Sequence, residues 1–179
     1  VAYVHCEDVF GVLGENFTFP VKINKKPEEI IWTKNKDKVA EWEGQNKPMY
    51  FTSLQNRGLL HTENGSLTIF NLVNHDIGTY MFEYLDSEKK SDNLTFILHV
   101  LSPPSEPEIS CNISGDHFVL KCKSDFQKPL DYTWKSDSLP TTHQRQEISI
   151  PKKNASGKVT CFIKFSQTEK SSEISLASC

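Results

Sequence analysis

Three short alternating runs near the C-terminal end constrain the fold most. Cys122 closes Phe118-Val-Leu-Lys-Cys122, Trp134 closes Tyr132-Thr-Trp134, and Cys161 lies within Val159-Thr-Cys161-Phe-Ile163. Side chains on a strand alternate between its two faces, so each Cys or Trp shares a face with apolar neighbours. A cysteine, a tryptophan twelve residues on, and a second cysteine on three strands form the pattern of an inter-sheet disulfide packed against an indole. The chain has five cysteines, Cys6, Cys111, Cys122, Cys161 and Cys179, four of them in its last 69 residues. Four cysteines allow three pairings, and spacing alone does not choose among them. The strand pattern selects Cys122–Cys161 as the core bridge. Cys111 and Cys179 then bracket the domain and tie its first strand to its last. No Cys-x-x-Cys occurs and the intervals are too long for a zinc knuckle, so no metal is expected. Cys6 is left over, and is expected to be silent and partly buried.

Residues 1–101 lack a cysteine pair yet read the same way. Runs such as Glu29-Ile-Ile-Trp32, Ser66-Leu-Thr-Ile-Phe and Thr79-Tyr-Met-Phe-Glu-Tyr alternate at period two. Turn residues separate them at Asn35-Lys-Asp37, Glu63-Asn-Gly65 and Asp86-Ser-Glu88, the all-β spacing. Asp76-Ile-Gly78-Thr-Tyr80 has the form Asp-x-Gly-x-Tyr, a tyrosine corner at the start of strand F of an immunoglobulin-type sandwich. Asp76 is expected to pair with Arg57. Two residues after Tyr80, where such domains carry a cysteine, stands Phe82, and about eleven residues before Trp32 stands Val21. An apolar Val21–Phe82 pair is therefore expected in place of the bridge. The fold class is all-β, with two tandem immunoglobulin-like β-sandwiches. Residues 1–101 form a variable-like domain without a core disulfide and 108–179 a constant-like domain with two. Between them, residues 102–107 carry three prolines, an extended connector suited to holding a domain away from a membrane.

Five sequons, at Asn16, Asn64, Asn93, Asn112 and Asn154, favour the secretory route and mark candidate N-glycosylation sites. The chain is expected to be the cell-surface ectodomain of a membrane-anchored glycoprotein, trimmed of signal and anchor. A formal net charge of −3 gives no sign of a nucleic-acid partner. The charge is uneven: residues 1–101 hold 10 basic and 14 acidic groups, and 102–179 hold 10 and 9. The six histidines are scattered, and no Gly-x-Ser-x-Gly, His-Glu-x-x-His or phosphate loop appears, so neither enzyme activity nor a cofactor is expected.

Together these features resemble the two-domain leukocyte adhesion proteins of the immunoglobulin superfamily, the group of signalling lymphocyte activation molecule and its relatives. Its members pair a bridge-less variable-like domain with a two-disulfide constant-like one. The resemblance covers nearly the whole chain. It is carried by Glu29-Ile-Ile-Trp-Thr-Lys-Asn-Lys-Asp-Lys-Val-Ala-Glu-Trp-Glu43, Asn56-Arg57 and Gly65-Ser-Leu-Thr-Ile-Phe-Asn-Leu72. It implies an adhesion ligand on antigen-presenting or target cells, monomeric as an ectodomain. The implied partner is the T-cell adhesion receptor (cluster of differentiation two), bound weakly through the G-F-C-C′-C″ sheet of the first domain, in support of adhesion and costimulation. The acidic first domain suits the ligand side. The alternatives are a related ligand of natural-killer-cell receptors, the receptor side of the pair, and a homophilic adhesion protein.

Residue by residue, the resemblance implies partner contacts at Glu29, Lys34, Lys36, Asp37, Lys38, Glu41, Glu43, Phe51 and Asp92. Strand parity offers an independent reading. With Trp32 inward, Glu29, Ile31 and Thr33 point outward; with Tyr80, Phe82 and Tyr84 inward, Met81, Glu83 and Leu85 point outward. The outer face then mixes Ile31, Met81 and Ile97 with Glu29, Glu41 and Glu83. An insertion at Lys47-Pro48-Met49 departs from the family, and so does the sequon at Asn93 on strand G. A glycan there would crowd a partner, unless the site is unused or lies at the rim.

Overall fold

The alternating runs fold into antiparallel sheets whose inner faces are apolar. The structure is a computed structural model that describes residues 5–139 and 141–179, without the side chain of Asn154. It divides into two compact units between Ser102 and Pro103. Among the described residues the helical segments are three-residue 3₁₀ turns.

The first unit contains β1 (Cys6–Val12), β2 (Phe17–Thr18), β3 (Pro27–Lys34), β4 (Asp37–Glu43), β5 (Met49–Tyr50), β6 (Gly58–Leu60), β7 (Leu67–Ile69), β8 (Gly78–Asp86) and β9 (Ser91–Leu101). One sheet has the order β1-β9-β8-β3-β4-β5 and the other β2-β7-β6. In immunoglobulin lettering the larger sheet is A′-G-F-C-C′-C″, the variable-type arrangement. β1 runs parallel to β9; the other pairs in both sheets are antiparallel.

The core between the sheets centres on Trp32, which is fully buried. Its ring centroid lies 4.9 Å from that of Phe19, 5.2 Å from Phe82 and 6.0 Å from Phe96. Burial of the indole N–H requires an acceptor, and Trp32 Nε1 donates to the Gly65 carbonyl at 2.9 Å. Val21 does not take the place of a core cysteine. It is only half-buried, outside any strand, whereas Phe19 is fully buried against Trp32, Tyr80 and Phe96. The physical reason is Pro20, which has no N–H to donate, so pairing with β7 goes no further than the Phe19 N–H, which donates to the Leu67 carbonyl at 3.0 Å. Phe82 instead reaches across to Gly65, where a β-carbon, if the residue had one, would lie 2.5 Å from its ring. Gly65 also has φ +83°, a conformation that side chains rarely adopt.

The tyrosine corner closes as its motif requires: Tyr80 Oη donates to the Asp76 carbonyl at 2.6 Å. Arg57 grips the fully buried Asp76 carboxylate with both terminal nitrogens, at 3.1 and 2.7 Å. The Val73 N–H donates to the same carboxylate at 2.8 Å. Hydrogen bonding to Asp76 holds the Arg57 guanidinium above its ordinary range.

The second unit contains β10 (Glu108–Ser114), β11 (His117–Lys123), β12 (Asp131–Ser136), β13 (Glu147–Pro151), β14 (Lys158–Phe165) and β15 (Thr168–Ser175). Its sheets are β10-β11-β13 and β12-β14-β15. Cys122–Cys161 joins them beside Trp134, all three residues fully buried. Cys111–Cys179 joins the first strand to the segment that follows the last one.

Two stability tests follow from this packing. Gly65→Ala is expected to lower the unfolding free energy by at least about 1–3 kcal/mol, because the Phe82 ring must move; urea denaturation reads this as a lower midpoint. Arg57→Ala is expected to cost about 3 kcal/mol or more by leaving the buried Asp76 charge unpaired. Arg57→Lys should recover only part of that loss in the same assay.

Candidate partner-binding face

Cross-strand register arranges the outward side chains of the large sheet in rows. The central row runs Asn93 (β9), Glu83 (β8), Ile31 (β3), Glu41 (β4) and Met49 (β5). On one side lie Ser91, Leu85, Glu29 and Glu43. On the other lie Cys6 (β1), Thr95, Met81, Thr33 and Lys38. The face thus interleaves apolar and acidic residues, with Ile31 at its middle flanked directly by Glu83 and Glu41. Met49 is 57% exposed, the highest value among the exposed large hydrophobics of the described residues.

A β-bulge shapes the charge pattern. Trp32 pairs with Ala40 but Thr33 pairs with Lys38, so Val39 is the extra residue. A bulge shifts side-chain alternation by one. Lys38 therefore joins Glu41 on the outer face while Val39 and Ala40 are both buried. Lys38 Nζ lies 3.1 Å from Glu41 Oε1 and 5.8 Å from the centroid of the Phe51 ring. Phe51 is held beside β4 by its N–H, which donates to the Val39 carbonyl at 3.0 Å.

The other residues implied as contacts divide into groups. Glu29, Lys38, Glu41 and Glu43 share the face, with Phe51 alongside. Lys36 stands exposed at the tip of the β3–β4 hairpin, in a turn where Asn35 and Lys36 have φ of 48° and 76°. That pair of positive angles matches the strand twist of a tight hairpin. Asn35 pins the tip to β8 through bonds of 2.8 and 2.9 Å with Thr79. Lys34 pairs with the inward-facing Tyr80, and its Nζ donates to the His75 carbonyl, away from the outer rows. Asp37 is opposite Lys34 at the same end. Asp92 pairs with Tyr84, on the parity opposite to Asn93. Burial first, and the Asp92 and Asp86 charges next, push the Tyr84 phenol up. The structure therefore does not gather Lys34, Asp37 and Asp92 with the central rows.

Glu83 and Met49 occupy the central row although the resemblance does not single them out. Parity alone already turns Glu83 outward; Met49 lies in the inserted segment, where only pairing with Glu41 assigns it a face. Cys6 is exposed, not partly buried, because β1 turns it outward beside Thr95. Asn93 stands at the β9 end of the central row, directly opposite Glu83. The asparagines of the sequons at Asn16, Asn64, Asn93 and Asn112 are all exposed. The side chain of Asn154 lies outside the described residues.

Glu29 stands directly opposite Glu43, and Glu83 has no ion-pair partner among the described residues. Like charges facing across strands are destabilising. Glu43→Lys is expected to replace this repulsion with attraction and to raise stability by about 0.2–1 kcal/mol. A higher thermal midpoint at low salt, shrinking as salt rises, is the measurement that checks it.

No model of a known protein family matches the sequence. Human lymphocyte function-associated antigen 3 is 35% identical over an alignment of 130 residues that covers 68% of this chain and 50% of that protein. The chain thus spans about half the length of this relative. A solved structure of the CD2-binding domain of CD58 (lymphocyte function-associated antigen 3) aligns with TM-score 0.53 and 27% identity, over 96% of this chain and 97% of that one. The first immunoglobulin-like domain of human CD48 aligns with TM-score 0.53 and 23% identity, over 63% of this chain and 96% of that one, a likeness of fold alone. The chain resembles lymphocyte function-associated antigen 3, and its architecture is immunoglobulin-like.

Proposed function

We propose that this chain is the extracellular part of a cell-surface adhesion ligand that binds CD2 on T cells through the outer face of β9, β8, β3, β4 and β5. The observation that carries the reading is the face itself: Ile31 at its middle with Met81 in the next row and Met49 at the β5 edge, interleaved with Glu29, Glu41, Glu43 and Glu83. The similarity to lymphocyte function-associated antigen 3, whose solved domain is described as CD2-binding, supports the choice of partner. At 35% identity the chain differs from the human protein as an orthologue from another species would.

The chemistry follows from the residues. Four carboxylates against one ammonium, that of Lys38, favour a basic partner surface. Such charges steer encounter and select the partner more than they add affinity. Each exposed ion pair contributes only about 0–1 kcal/mol. The contact is therefore weak and short-lived, and many copies between two cells hold by multivalency. Adhesion and costimulation of T cells are the resulting roles. In this reading, residues 1–101 carry the binding face, 102–107 connect, and 108–179 form a disulfide-tied spacer that holds the face away from the membrane. The sequons are candidate attachment sites for N-glycans, and the chain acts without catalysis or cofactor.

Surface plasmon resonance against purified CD2 at several salt concentrations tests the proposal. The expected result is micromolar binding with fast release, weakening as salt rises. Glu41→Lys should lower affinity at least about tenfold, equal to about 1.4 kcal/mol. Absence of binding at high concentration by the chain freed of its N-glycans would remove CD2 as the partner while leaving the fold untouched.

A further inference from the structure

Asn93 opens the sequon Asn93-Leu94-Thr95 inside β9, not in a loop. Leu94 packs on the core and Phe96 is buried, so Asn93 and Thr95 stand on the outer side. Asn93 is exposed and directly opposite Glu83. Its neighbours along the same face are Ser91 and Thr95, both short, which leaves room for a large substituent on its amide. Asn16 and Asn64 sit elsewhere, beside the smaller sheet, where their side-chain oxygens accept from the Asn71 and Ser66 N–H groups at 3.0 and 2.8 Å.

We propose that Asn93 is an N-glycosylation site whose occupancy closes this face to its protein partner, so that only the chain left unmodified at Asn93 docks. The inference rests on the outer face being the docking surface, as proposed above. Adjacent strands lie about 4.8 Å apart, so Ile31, two strands from Asn93, is only about 10 Å away. An interface of ordinary size covers about 800 Å² on each partner, a patch roughly 28 Å across. A patch of that size centred on Ile31 includes Asn93. A branched glycan there is bulky and hydrated, and it occupies the volume that the partner must enter.

The modification itself balances simply. A lipid-linked pyrophosphoryl oligosaccharide is the donor. Asn93 Nδ2 forms a bond to the anomeric carbon as the bond from that carbon to the phosphate oxygen breaks. The amide nitrogen gives up one proton, and the lipid pyrophosphate leaves with the bonding electrons. The reaction takes place on the chain before β9 is paired, so its final place in a strand is no obstacle. Once folded, the sugar emerges on the outer side and leaves the β9 backbone hydrogen bonds intact.

The test uses the whole chain secreted from mammalian cells, with Asn93 occupancy measured by glycopeptide mass spectrometry. Wild type, Asn93→Gln, Thr95→Ala and Thr95→Ser are compared in two assays. The first is binding to purified CD2. The second needs no partner: carbodiimide labelling of Glu83, with the exposed Glu63 beside the smaller sheet as internal control. The expected result is partial or full occupancy at Asn93 in wild type and Thr95→Ser, which keeps the sequon. The forms lacking that glycan should bind at least tenfold more tightly, and Glu83 should label several-fold faster in them while Glu63 is unchanged. An unoccupied Asn93, or equal binding and equal labelling with and without its glycan, overturns the inference. If no form binds CD2 but Glu83 is still shielded by the glycan, it is the choice of partner that fails and the closure of the face that stands.

Discussion

Packing around Trp32 holds the first domain together where a covalent bridge is missing. The indole is wedged between Phe19 and Phe82 and anchored by its N–H to the Gly65 carbonyl. A bridge closing a loop of this kind stabilises by about 2–4 kcal/mol. Full burial of one phenylalanine contributes about 1.5–3 kcal/mol, and each aromatic pair adds about 0.5–1.5 kcal/mol. Phe19 and Phe82 together can therefore offset the missing bond. The solution has a structural condition. Phe82 fits only because Gly65 lacks a side chain, and the Gly65 carbonyl points at Trp32 only because the backbone there takes a positive φ. The pair of half-buried Arg57 with buried Asp76, and the tyrosine corner, lock the E–F turn of the same sandwich.

A core secured from within leaves the outer side of the large sheet free to be chosen for something other than stability. Its residues are a poor choice if stability were the only demand. Glu29 faces Glu43, and Glu83 and Glu41 flank Ile31 without an apolar cover. Only Lys38 offsets this charge within the rows, and it reaches the face because the bulge at Val39 turns it there. A partner carrying the opposite charge would relieve the repulsion and cover Ile31 at once, which couples the cost in the free chain to selectivity in the complex.

Much of the fold is legible from local pattern. Period-two alternation, the Cys122–Trp134–Cys161 spacing and the Asp76-to-Tyr80 motif each report a side-chain face or a turn, and these depend on neighbours only a few residues away. The same pattern turns Ile31, Met81 and Glu83 outward. The Val21–Phe82 pair fails because counting back from Trp32 assumes an unbroken strand, and Pro20 breaks it. The expectation for Cys6 fails because its burial depends on which side of β1 faces solvent, and that is set by pairing with β9, some ninety residues away in the chain.

By itself, then, the sequence determined the fold class, the two-domain division and the direction in which most strand residues point, because alternation is a property of the extended backbone. Only the tertiary structure decided which outward residues meet. Register between β3 and β4 with its extra residue at Val39 brought Lys38 to Glu41. Pairing of β8 with β9 set Asn93 against Glu83, and packing at the sheet end drew Lys34 to His75. These are choices among hydrogen-bonded alignments of distant strands, and a one-residue slip in any of them reverses a face. No local periodicity encodes that slip; the fit of the whole core around Trp32 does.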